Sequence, residues 1–155
     1  MFILTTKPKE QIMQQEKLMF TSSFYQYSGA GRISIARGAP RGMGGFKIYR
    51  KLNPGSWFHD AEFYNNQAAF QEKYFHEILK PLNPEQVWNE LQSLVAGQEH
   101  PPVLLCHENI SKPGQWCHRR MVALWFEQEL GIVVPEMVMQ LKPAKLTEPS
   151  LFDFA

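Results

Sequence analysis

Two short stretches hold the side chains best suited to chemistry: Cys106-His107-Glu108, and Trp116-Cys117-His118-Arg119-Arg120. The first ends an apolar run and the second opens a helical pattern. Backbone N–H groups at a helix start lack partners and carry about half a positive charge, which attracts anions. A cysteine there, beside arginines, would fall below its reference pKa of about 8.5 and could act as a nucleophile. With His107 and His118, the two cysteines also offer four soft or borderline metal donors. Their arrangement, Cys-His-x9-Cys-His, is not a standard zinc spacing, and adjacent residues rarely face one ion, so no metal site is expected. The third reading of Cys106 and Cys117 is plain burial, the commonest fate of free cysteine. Glu108 can serve as a general base or as a ligand for a ribose hydroxyl. It can equally pair with Arg119 and fasten the loop. Arg119 and Arg120 have the wrong sign for a helix start, at a cost of roughly 0.3–1 kcal/mol each. An anionic ligand, or Glu108, would reverse that cost.

A second cluster is Arg37-Gly38-Ala39-Pro40-Arg41-Gly42-Met43-Gly44-Gly45. Its glycines fit neither the phosphate-loop nor the dinucleotide spacing. Gly38 and its neighbours still allow backbone to approach a phosphate, while Arg37 and Arg41 can grip one through paired hydrogen bonds. The bland alternative is a basic surface loop. Phe46, Tyr49 and Trp57 nearby could stack on a base or pack in the core. The stretch belongs to a one-signed segment: Lys17, Arg32, Arg37, Arg41, Lys47, Arg50 and Lys51 occur between Lys17 and His59 with no Asp or Glu. Such a segment favours an anionic partner or pairs with the acidic remainder of the chain.

The elements that must position these residues follow from periodicity. Residues 17–24 read as a first strand, 32–36 as a second, and 47–52 as a short extended piece. Phe63, Phe70, Tyr74, Ile78 and Leu82 form one apolar stripe of a helix ended by Pro81. Asn83 then caps a helix with Pro84 at its first position, Val87, Leu91 and Leu94 on its buried face, and Gly97 closing it. Pro102 to Cys106 is wholly apolar, as in a strand covered on both faces. A helix from Trp116 or Cys117 to Leu130 stops at Gly131, and Ile132-Val133-Val134 resumes β character. Strand, helix, strand implies a parallel pair, hence an α/β, Rossmann-like three-layer domain with a short parallel sheet flanked by helices. Ligands in such sheets bind beyond the carboxyl ends of the strands. The Arg/Gly loop and the Cys/His loop both leave from such ends.

A chain of 155 residues with 44% hydrophobic and 20% charged residues can bury one core without staples. Residues 1–16 read as a polar extension with a short helix from Lys9 to Lys17, 17–140 as the domain, and 141–155 as a tail. The tail's Leu151, Phe152 and Phe154 resemble the clamp-binding peptides of bacterial replication proteins, which suggests a sliding-clamp partner. A disulfide between the two cysteines is possible, but with no apolar run of spanning length and no leader-like start the expectation is a cytoplasmic protein with free thiols.

Ser34 to Gly42, Tyr49 to Pro54, Leu104 to Glu108, Lys112 to Arg120, Leu130 to Ile132 and Val134 to Glu136 together resemble the bacterial and phage family known as domain of unknown function four-eight-eight. Its most specific element, Cys-x-Glu followed by Cys-His-Arg, is matched by Cys106, Glu108, Cys117, His118 and Arg119. The resemblance implies a Rossmann-like fold and a site at those residues, without supplying a reaction or a cofactor. The combined expectation is a pocket for a phosphate-bearing small molecule or nucleic acid. Arg37, Arg41 and Arg119 would neutralise phosphate, Gly38, Cys117 and His118 would line the site, and Glu108 and Cys106 would carry any hydrolase- or transferase-type chemistry. The alternatives are a non-catalytic nucleotide or nucleic-acid binder, and an adaptor docking through its tail.

Overall fold

The computed structural model describes residues 18–108 and 110–137. The expected extension, the tail and its docking peptide lie outside the described residues. Four strands, β1 (Phe20–Ser23), β2 (Arg32–Ser34), β3 (Lys47–Ile48) and β4 (Val103–Cys106), form one sheet in the order β1-β4-β2-β3. All pairings are parallel. The fold is the α/β, Rossmann-like arrangement that strand–helix alternation predicts.

β4 lies between β1 and β2 and is buried at every residue, which explains its unbroken apolar run. Leu104 joins Ile33 and Ile35 in the larger core, against the helices. Val103 and Leu105 face the opposite way into a smaller cluster with Phe24, Tyr27 and Ala36. Among the described residues, that second face is covered by loops and strand ends, with Phe20, Phe46, Ile110 and Met137 packed on it.

The helices are α1 (Ala61–Tyr64), α2 (Gln67–Tyr74), α3 (Pro84–Leu94) and α4 (His118–Leu130). Asn83 caps α3 by accepting from the Gln86 N–H at 3.0 Å, with Pro84 at the first position, as its sequence signature requires. Gly131, at φ 71°, takes the left-handed conformation that ends α4. The stripe from Phe63 to Leu82 is not one helix. Asn66 caps α2 by accepting from the Ala69 N–H, which divides it from α1. Beyond Tyr74 the chain continues as a π-helical turn, Phe75–Leu79, in which the Lys80 N–H donates to Phe75 O at 2.8 Å. The extra residue rotates the register, so Leu79 is buried where a regular helix would bury Ile78.

The second correction concerns Ile132-Val133-Val134, which forms no strand. The parallel contact occurs at Glu136, as a single bridge to Thr21. Pro135 has no N–H to give, but its carbonyl accepts from Thr21 N at 3.0 Å and Met137 N donates to Thr21 O at 2.6 Å.

Tyr74 is fully buried and its hydroxyl donates to Leu52 O at 2.6 Å. Burial pushes its pKa well above 10, so it remains a neutral donor. Tyr74→Phe leaves that carbonyl unpaired. It should cost about 1–3 kcal/mol in urea unfolding, with the same dependence on denaturant.

Candidate functional site

Parallel register sets the geometry of the site. Ser34 pairs opposite Leu105 and the Ile35 N–H donates to Leu105 O at 3.1 Å, so β2 and β4 end on one rim. Their loops therefore leave side by side. Two histidines tie them together. His118 donates its Nε2–H to Ile35 O at 2.8 Å, and His107 donates its Nε2–H to Gly38 O.

Between the loops lies a pocket of about 570 Å³. The β2 side contributes Ala36, Arg37 and Gly38, and the β4 side Cys106, His107 and Glu108. The start of α4 adds Trp116, Cys117 and His118, while the 3-10 turn Ser56–His59 adds Phe58 and His59 and the end of α1 adds Tyr64 and Asn65. Six expected residues thus meet in one place: Arg37, Gly38, Cys106, Glu108, Cys117 and His118. A Cβ at Gly38 would meet nothing within 4 Å, so backbone there is open to close approach.

Arg37 donates to Pro54 O at 3.2 Å and lies 5.9 Å from the centre of the Phe58 ring. That carbonyl takes one of its five donors, and the ring is within cation–π range of the guanidinium. Cys117 sits at the N-cap of α4, where no side chain caps the helix and no acidic residue occupies the first turn. The positive end of a helix and one arginine therefore border the same hollow.

Three expectations need correction. Arg119 does not reach the pocket and does not pair with Glu108. Its side chain is fully buried, with Nη2 2.8 Å from Glu136 Oε2 and Nε 3.0 Å from Oε1. The bridge at Thr21 returns Glu136 beneath the start of α4, and its carboxylate takes the cation that the helix start cannot stabilise. Thr21 Oγ1 donates to the same carboxylate at 2.6 Å, and Arg120 donates to Thr21 Oγ1 and Val134 O. Arg41 is exposed and does not line the pocket, because the loop carries it outward past Pro40. The two thiols are not free: Cys106 and Cys117 are joined as a disulfide across the loop between β4 and α4. In that state Cys106 is not a nucleophile.

The aromatic candidates also change. Phe46 packs edge-on to Phe24, Trp57 packs against Phe63 and Phe70, and Tyr49 is buried with its hydroxyl on Glu90. Phe58, Tyr64 and Trp116 take the wall positions instead. Phe58 and His59 lie in the 3-10 turn Ser56–His59 after Pro54-Gly55, and Tyr64 ends α1; their spacing carries no motif, so nothing in the sequence singles them out.

A larger, shallower groove of about 1040 Å³ runs between Tyr49–Lys51 and α3. At its centre Glu90 accepts from Tyr49, Lys51 and Gln86, and the Tyr49 bond leads in holding its carboxyl below the usual range. Of the candidate residues only Tyr49 lines it, and its hydroxyl is taken by Glu90. Among the described residues, no helix is long and apolar enough to cross a membrane. Compared with models of protein families, with curated proteins and with solved structures, the chain matches none.

Proposed function

We propose that the pocket binds an anionic, ring-bearing ligand of nucleotide type. The observation that carries the reading is the meeting of Arg37 and the start of α4 with the Phe58 and Trp116 side chains around one cavity. Phosphate would sit between the guanidinium fork and the helix start, and a base would lie against an aromatic wall. The cavity falls within the usual range for small-molecule sites. Glu108 is the carboxylate on the rim, placed to accept from a ribose hydroxyl or to act as the base in hydrolase- or transferase-type chemistry. Membership of the family known as domain of unknown function four-eight-eight, and a cytoplasmic setting, belong to the same proposal. They rest on the Cys-x-Glu and Cys-His-Arg motif and on composition.

Calorimetric titration with inorganic phosphate, adenosine and the adenosine mono-, di- and triphosphates tests it. Arg37→Ala should weaken the phosphate-bearing ligands roughly 10- to 150-fold, the value of a charge-assisted hydrogen bond, and leave adenosine unchanged. Absence of binding by every probe at millimolar concentration, or equal affinities in the variant, ends the reading. A steep loss of affinity for a single-stranded oligonucleotide with added salt would identify nucleic acid as the ligand.

A further inference from the structure

Cys106, Cys117 and His118 all line the pocket, all are buried, and their donor atoms lie within 4.8 Å of one another. We propose that, once the disulfide is reduced, these three residues bind one soft divalent cation of the zinc class, its fourth coordination position open to the pocket. Two thiolates and one imidazole are a donor set found in zinc sites that keep an open position.

The imidazole is already oriented for the task. Its Nε2–H is committed to Ile35 O at 2.8 Å, so the lone pair is on Nδ1, which faces Cys117 Sγ at 3.6 Å. Metal-binding histidines characteristically fix their other nitrogen in this way. Neighbouring residues can share one ion here because Cys117 is extended, at φ −150° and ψ 150°, while His118 begins the helix. The Cα atoms of the two cysteines are 7.2 Å apart, beyond the usual span of a disulfide. Two thiolates on one tetrahedral zinc ion stand about 3.8 Å apart, which suits a wider backbone separation.

Charge also balances. Arg119 Nη1 donates to Cys106 Sγ at 3.1 Å, and Glu136 neutralises Arg119. A dication with two thiolates adds no net charge to a buried place, whereas the empty dithiolate would. Reduction by a small thiol of the glutathione class converts the disulfide and two RSH into two cysteine thiols and RSSR. Binding of the dication then displaces two protons. His107, the remaining donor of the four that the two Cys-His pairs offer, is turned to Gly38 instead. The inference stands on its own donors and does not depend on the nucleotide reading.

The test is cobalt titration of the full chain, reduced and freed of metal, with two thiols counted and native circular dichroism verified. One equivalent of Co²⁺ should produce thiolate-to-cobalt charge transfer with the visible bands of a tetrahedral site, and Zn²⁺ should displace it. Cys106→Ser and Cys117→Ser should each cut the charge-transfer intensity and weaken binding. His118→Gln should retain the charge transfer but weaken Co²⁺ by at least the roughly tenfold that losing even an outer-shell partner of a ligand costs. A reduced, folded wild type that shows no such band overturns the proposal. So does a band that survives removal of both cysteines, or a disulfide that can be reduced only by unfolding. Nucleotide titrations on the metal-free protein keep the outcome separate from that of nucleotide binding.

Discussion

Arg119→Met should destabilise the protein by about 3–5 kcal/mol, read as a lower urea midpoint at neutral pH. The mechanism is the charge left behind. Glu136 is only 11% exposed and would lose the guanidinium that binds both its oxygens. Thr21 Oγ1 would remain as a single weak donor. A fall of this size is a large part of the 5–15 kcal/mol that holds a typical domain together. If Arg119→Met fails to accumulate, Arg119→Lys should still fold and fall between the two, because a lysine keeps the charge but not the fork. Removing both partners, as Arg119→Met with Glu136→Leu, should recover much of the loss. A midpoint for Arg119→Met within about 0.5 kcal/mol of wild type would show that the ion pair contributes nothing.

The second large effect is acid sensitivity through His118. Burial dominates in lowering its pKa from 6.5 to about 4, with Arg119 and His107 acting in the same direction and the Ile35 hydrogen bond opposing them. The Tyr74 ring, centred 5.4 Å away, is the aromatic wall on its other side. The folded protein therefore holds the imidazole neutral, while the unfolded chain takes up a proton near pH 6.5. Between those values the unfolded state binds more protons, so stability falls as the pH falls. The contribution is complete above 6.5 and lost on descending to about 4, some 3 kcal/mol in total. Carboxylates titrate over part of this range, so the readout is a difference. In metal-free protein, the gap in unfolding free energy between wild type and His118→Gln should narrow by about 3 kcal/mol from pH 7 to pH 4. Parallel pH profiles for the two proteins would place the imidazole in solvent.

Much of the fold was legible because its signals are local. The uninterrupted apolar run at Val103–Cys106 marks a strand with two covered faces, and Asn83-Pro84 marks a helix start. The convergence of the Arg37 and Cys106 loops followed from parallel strands sharing a rim. What escaped was non-local. The partner of Arg119 is Glu136, brought back by a bridge that the hydrophobic pattern at Ile132–Val134 misplaces by a few residues. The division of the Phe63–Leu82 stripe depended on an asparagine cap and a π-helical turn, and apolar spacing records neither. Adjacency of the two sulfurs depends on how the loop between β4 and α4 folds back, which spacing alone does not dictate.

The flanks of the sheet bear on how the protein behaves when crowded. On one side the last strand, β3, is only Lys47 and Ile48, both exposed. On the other, the outer edge of β1 is met by the bridge at Glu136. A brief margin carrying a lysine and a margin already taken by the chain's own backbone both discourage pairing with a foreign strand. Concentrated samples should consequently resist strand-by-strand growth into fibrils, a property set by the rims of the sheet and separate from anything in the pocket.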